Sequence, residues 1–149
     1  MNNGKDKPLK QPVSVLVILH DSNGRVLLLE RADKTDFWQS VTGSIEEGES
    51  LSETALREVR EETGIVLYPS QLNDWRHSTV YEIYPHWRHR YPPGVTENTE
   101  HTFSAQIAPD TPIILTEHTR YCWLPANEAA QKVFSPSNRE AILALAEHL

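Results

Sequence analysis

The chain contains a single cysteine, Cys122, so no disulfide can close within it. Long apolar runs are missing too: the longest, Val13 to Leu19 with Ser14 inside it, falls far short of the roughly 20 residues a membrane helix needs. The opening residues Met1-Asn2-Asn3-Gly4-Lys5 offer no apolar signal region, and with one thiol they point to the cytoplasm. Positive charge is scarce. With 14 Lys and Arg against 21 Asp and Glu, the formal net charge is −7, which argues against nonspecific binding to nucleic acid. A small phosphorylated ligand remains compatible with that balance, because a local pocket needs only a few cations. Internal repeats and low-complexity linkers are absent, and Pro and Gly are spread along the sequence. A length of 149 residues suits one domain spanning residues 1–149.

What the chain does have is a mixture of strand and helix patterns. Val13 to Leu19 and Val26 to Glu30 are β-rich runs joined by the turn Asp21-Ser22-Asn23-Gly24, which predicts a hairpin. Phe37 to Val41 reads as one short strand, with later strands at Thr79 to Tyr84, Thr102 to Ile107 and Tyr121 to Leu124. Pro125 to Lys132 reads as a short helix. Ser137-Asn138-Arg139-Glu140 has the form of a capping box opening an amphipathic helix through Ile142, Leu145 and Leu149. The sum is an α/β fold, a mixed sheet with helices on its faces.

The most informative helix lies between these segments. Ser50-Leu51-Ser52-Glu53 is a capping box, and Gly64 stands where a left-handed stop belongs, so the spacing predicts a helix from Leu51 to Thr63. At 100° per residue Ala55, Leu56 and Val59 form an apolar stripe joined by Ser52 and Thr63, with Glu58, Glu61 and Glu62 on its flank. A solvated acidic face is the commonplace explanation for such a cluster. It fits poorly here, because carboxylates three and four residues apart repel and these crowd the negative end of the helix dipole. A cation among them answers both objections, and clustered hard oxygens suit Mg²⁺, which also binds substrate phosphates. Arg57 is positioned to pair with Glu53 and Glu61 and hold the row. The loop from Gly43 to Glu49 permits a tight backbone before the helix; it lacks the Gly-Lys-Ser/Thr of a Walker cradle. Glu49 either reaches the same cation or serves only as a charge favouring the helix start.

Gly43, Glu49, Arg57-Glu58-Val59, Glu61-Glu62 and Gly64-Ile65 match G-x5-E-x7-R-E-U-x-E-E-x-G-U, with U aliphatic, at every fixed position. On this box, residues 43–65, the chain is identified as a member of the Nudix hydrolases. Phe37-Trp38-Gln39-Ser40-Val41-Thr42-Gly43, His89 to Thr96 and Ser135-Pro136-Ser137-Asn138-Arg139 further resemble the branch of that family acting on dihydroneopterin triphosphate. The resemblance implies a Nudix-type α/β/α sandwich with a central mixed β-sheet and a Mg²⁺-dependent pyrophosphohydrolase of folate biosynthesis. Such an enzyme leaves dihydroneopterin monophosphate and pyrophosphate. It also implies roles: Glu58 and Glu62 as metal ligands, Glu61 as a further ligand or polarising group, and Glu117 as the remote carboxylate that completes the metal site or acts as base. Lys10 and Arg31 would contact the triphosphate, with Thr42, Tyr81, Glu82, Ile83, Tyr84 and Ser135 binding the rest of the substrate.

Each of those residues also has an ordinary explanation, from a loop acid at Glu117 to strand packing along Tyr81-Glu82-Ile83-Tyr84. His118 is more readily a polar or packed side chain than a magnesium ligand. The basic, aromatic stretch His86-Trp87-Arg88-His89-Arg90-Tyr91 could stack on single-stranded RNA, but a long active-site loop suits the net negative charge better. Two other functions compete: a broader nucleoside triphosphate pyrophosphohydrolase, for example on dATP, and a noncatalytic ligand-binding regulator. The complete acidic row speaks against the regulator.

Overall fold

The computed structural model describes residues 8–149, so the reading of Met1 to Lys5 lies outside the described residues. Strands β1 (Val13–His20) and β2 (Arg25–Arg31) are joined by the expected turn, closed by Asp21. Its Oδ1 accepts the main-chain N–H groups of Asn23 and Arg25 at 2.8 and 2.9 Å, while Gly24 takes φ 82°. The other strands are β3 (Trp38–Gln39), β4 (Val41–Ser44), β5 (Leu72–Glu82), β6 (Glu97–Gln106) and β7 (His118–Pro125). They form one mixed sheet in the order β3-β2-β1-β6-β5, with β4 also on β1 and β7 also on β2; β1 and β6 are parallel.

Strand β1 reads as an unbroken apolar run because both its faces are covered. Val15, Val17 and Leu19 pack with Ala55 and Val59 of helix α1 (Leu51–Thr63), whereas Leu16 and Ile18 pack with residues of α2 (Ala126–Lys132) and α3 (Pro136–Ala144). The architecture is therefore the expected α/β/α sandwich. No helix among the described residues is long and apolar enough to cross a membrane.

Helix α1 occupies the expected span. Ser50 Oγ accepts from Glu53 N at 3.1 Å, the Glu53 carboxylate accepts from Ser50 N at 2.8 Å, and Gly64 ends the helix in the left-handed region at φ 77°. Ser52 is exposed; Thr54 and Glu62 are buried with Ala55, Val59 and Thr63.

Four expected elements need correction. Phe37 to Val41 is two strands, because Asn138 intrudes at Ser40: its Oδ1 accepts Ser40 N at 2.8 Å and its Nδ2 donates to Ser40 Oγ at 3.0 Å. The chain consequently pairs with β2 before Ser40 and with β1 after it, so Gly43 is a strand residue. The last helix is capped two residues earlier than expected. Ser135 is the N-cap and Ser137 Oγ donates instead to Glu100; beyond Ala144 the helix tightens to a 3₁₀ turn and leaves Leu149 exposed. Finally, β5 and β6 begin at Leu72 and Glu97, well before Thr79 and Thr102. Their first halves are polar, and β5 carries a bulge between Asp74 and Ser78.

Candidate active site

The acidic row of α1 faces β4 at its glycine. A Cβ at position 43 would overlap the Glu58 carboxylate, so the strand can approach the helix this closely only with glycine there. Arg57 ties the row down, with a partner the sequence did not suggest. Its Nε and Nη2 donate to the two oxygens of Glu49 at 2.6 and 3.0 Å, Nη1 donates to Glu58 and Glu61 at 3.0 and 3.1 Å, and Nη2 also donates to Ser44 O. Glu53, expected to join this pairing, is engaged in the cap. The Arg57 guanidinium holds the Glu49 carboxyl down at about 2. Fork-on-carboxylate geometry of this kind is the strongest form of the ion pair.

Beyond that clamp the row is short of partners. Glu62 is 4% exposed, and its Oε1 accepts no hydrogen bond; the nearest cationic candidate, His118 Nε2, stands 4.0 Å away. Burial, then the neighbouring Glu58 charge, then Glu117, lift the Glu62 carboxyl well above the usual carboxylate range. Glu58 is raised by burial as well, and Arg57 only partly offsets it. His118 is itself pushed below its usual value by burial and by Arg31, and its Nε2 lies 3.2 Å from Gln39 Nε2. Glu61 is half-exposed at the end of the row, and Glu117 is exposed. Among the described residues no three His, Cys, Asp or Glu side chains are drawn into a closed cage. The fit to a hard divalent cation rests instead on the donor set, all carboxylate oxygen, and on a buried Glu62 oxygen that nothing among the described residues satisfies.

One open cleft of about 1800 Å³ runs from this row across the sheet edge to the start of α3, and every residue to which the family resemblance gave a role lines it, whereas Glu49 does not. Lys10 lies in it close to Arg31 and Arg90, and burial followed by those two cations lowers its pKa. Arg31 is held in place by Asp33, at 2.7 Å from both Nε and Nη2, and its guanidinium stacks 4.5 Å from the Trp87 ring centre. The Thr42 hydroxyl donates to Val15 O at 2.9 Å, and its main-chain amide is directed at Glu62. Tyr81 is partly buried, accepting from Asn98 Nδ2 at 3.1 Å; Ile83 is buried; Glu82 and Tyr84 stand at the rim. Ser135 serves as the α3 N-cap.

The stretch expected to form a long loop is a 3₁₀ helix over Pro85–Arg90 that brings Trp87 and Arg90 into the cleft. Tyr84, Trp87 and Phe134 make an aromatic wall with ring centres 5.5 to 6.1 Å apart. Arg90 belongs to the stretch expected to form an active-site loop, whereas Phe134 and the buried polar residues Ser14, Asn98 and Glu100 were not identified from sequence as site residues. For Asn98 and Glu100 the one signal was a polar run, Glu97-Asn98-Thr99-Glu100, in a segment otherwise able to form strand.

The NUDIX domain model matches residues 10–145. The protein belongs to the Nudix family, whose hydrolases use a divalent metal to act on small-molecule phosphates. Dihydroneopterin triphosphate diphosphatase of Escherichia coli strain K12 is 49% identical to this chain over 141 residues, covering 93% of this chain and 94% of the relative. The Haemophilus influenzae protein of the same name is 41% identical over 137 residues, covering 89% and 86%. In structure, the E. coli dihydroneopterin triphosphate pyrophosphohydrolase superposes with a TM-score of 0.89 at 46% identity, covering 96% of this chain and 100% of that one.

Proposed function

We propose that this protein is a Mg²⁺-dependent pyrophosphohydrolase that converts dihydroneopterin triphosphate to dihydroneopterin monophosphate and pyrophosphate, a step in folate biosynthesis. The observation that carries the chemistry is the Glu58/Glu62 pair: a half-buried and a buried carboxylate side by side, the second with an oxygen lacking any partner among the described residues, opening into a cleft that also contains Lys10, Arg31 and Arg90. The naming of the two relatives supports the substrate.

In this reading Glu58 and Glu62 hold the Mg²⁺, with Glu117 as a third ligand or as the base, and Glu61 adjusts the charge of the row. The bound ion would neutralise phosphate charge and acidify water, the two needs of anhydride hydrolysis. Arg57 keeps Glu58 and Glu61 aligned without touching substrate. Lys10 and Arg31 bind the triphosphate oxygens, and burial of Lys10 among cations makes an anion there more favourable. Tyr84 and the rest of the aromatic wall cover a flat ring, with Tyr81 and Ile83 beneath it, Glu82 at the rim and Ser135 at the far end beside α3. One water is consumed as the bond between the α- and β-phosphates breaks, so both terminal phosphates leave together. The reaction belongs in the cytoplasm, since a highly charged triphosphate does not cross a bilayer unaided.

The deciding assay offers dihydroneopterin triphosphate and dATP separately with Mg²⁺, following pyrophosphate and orthophosphate. Faster turnover of the pterin with pyrophosphate as product is expected. A dominant rate on dATP would move the protein to the broader nucleotide class, and stepwise orthophosphate would overturn the proposed bond cleavage.

A further inference from the structure

Within the cleft, Glu100 of β6 is 5% exposed, yet among the described residues it has one hydrogen-bond partner, Ser137 Oγ, which donates to Oε1 at 2.8 Å. The strand register sets Ser14 of β1 opposite Glu100 and Tyr81 of β5 opposite Asn98. Asn98 is fully used as a donor: Nδ2 gives hydrogen bonds to Ser14 Oγ at 2.7 Å and Tyr81 Oη at 3.1 Å. It cannot serve Glu100, and among the described residues no Lys or Arg pairs with the carboxylate. Burial raises the Glu100 pKa, with only the Ser137 hydroxyl working against it.

A carboxylate removed from water with one neutral donor is costly unless something else supplies N–H groups. The surroundings describe what would do so. Glu100 lies on the α3 side of the sheet, joined to Ser137 at the α3 N-terminus, whereas Glu58 and Glu62 belong to α1 on the other side. The cleft spans both, with Ile83, Tyr84 and Phe134 along its apolar part. A ligand with phosphates at the acidic row and a flat ring between those side chains would turn the edge of its ring to Glu100.

We infer that Glu100 is a specificity-determining residue whose carboxylate accepts two adjacent donors, the ring N–H and the exocyclic amine of a 2-amino-4-oxopyrimidine ring. This rests on the pyrophosphohydrolase reading of the cleft. Pterin and guanine share that donor–donor edge. Adenine sets its amine beside a ring nitrogen lone pair, so a carboxylate meets one donor and one repelling acceptor. Glutamine at this position would offer one acceptor and one donor, losing half the match to the first edge and gaining a match to the second.

The test compares wild type with Glu100→Gln on dihydroneopterin triphosphate, dGTP and dATP, all with Mg²⁺. For the first two, kcat/KM should fall roughly 10- to 100-fold, the discrimination of a lost bidentate pair, while dATP stays within about threefold of wild type or improves. Retained dATP turnover also shows that the variant is folded. Should the variant unfold, Glu100→Asp and the binding of unphosphorylated neopterin to metal-free protein, read by pterin fluorescence, replace it; neopterin must bind wild type more tightly. Equal losses on all three substrates, or unchanged rates on the first two, would overturn the assignment. If wild type ignores dihydroneopterin triphosphate, the substrate reading fails by itself, and the dGTP-to-dATP ratio still decides the role of Glu100.

Discussion

At position 43 a hydrogen atom is all that separates β4 from the Glu58 carboxylate. Gly43→Ala should therefore fold, since the displaced group is the movable end of a side chain, yet lose most activity because Glu58 is driven from its place. Near-wild-type kcat with the alanine would show that Glu58 need not sit there. A different residue reports on acid stability. The Arg120 hydrogen bonds hold Glu30 down at about 2 against an ordinary 4.5. A depressed carboxylate contributes stability above its unfolded pKa and loses it as pH falls through the folded value, so this contribution fades between about pH 4.5 and 2. Arg120→Met should flatten the dependence of the unfolding midpoint on pH across that window, and an unchanged slope would contradict the pairing.

The elements differ in how openly the sequence announces them. Helix α1 was legible to the residue because its caps are local chemistry: Ser50, Glu53 and Gly64 specify both ends without help from the rest of the molecule. Breaking the box with Ser50→Ala should cost about 1 kcal/mol in denaturant titration, and no loss would mean that the cap contributes nothing. Strand β1 was equally plain, since two buried faces leave an apolar run. The break at Ser40 was not, because it is made by Asn138, far along the chain. The polar start of β6 was hidden for a related reason: Asn98 and Glu100 line the cleft, so polar side chains interrupt the strand pattern there, while in β5 the bulge between Asp74 and Ser78 breaks the alternation. The acidic row and the candidate substrate residues came from motif and resemblance, whereas Phe134 and Glu100 required the fold to bring them together.

Across the whole molecule, the cleft joins two regions of unlike electrostatics, and the acidic one strains against its own burial. Glu58 and Glu62 have folded pKa values above the ordinary carboxylate value of 4.5. A raised value stabilises the fold below the unfolded pKa, and that contribution disappears as pH rises through the folded one. In EDTA, stability relative to Glu62→Gln should consequently decline as pH rises above about 4.5, and Mg²⁺ should remove the decline. A difference that stays flat with pH in EDTA would mean that the pair carries no such burden.

The most direct test is calorimetric titration of Mg²⁺ into metal-free wild type and Glu62→Gln at neutral pH, with thermal melting of both in EDTA. Wild type should bind the ion, and Glu62→Gln should bind it at least about 10-fold more weakly, the loss seen when even an outer-shell partner of a metal is removed. The variant's melting midpoint in EDTA should equal or exceed that of wild type. Equal Mg²⁺ affinity in the two proteins would contradict the claim that a divalent ion completes this acidic pair.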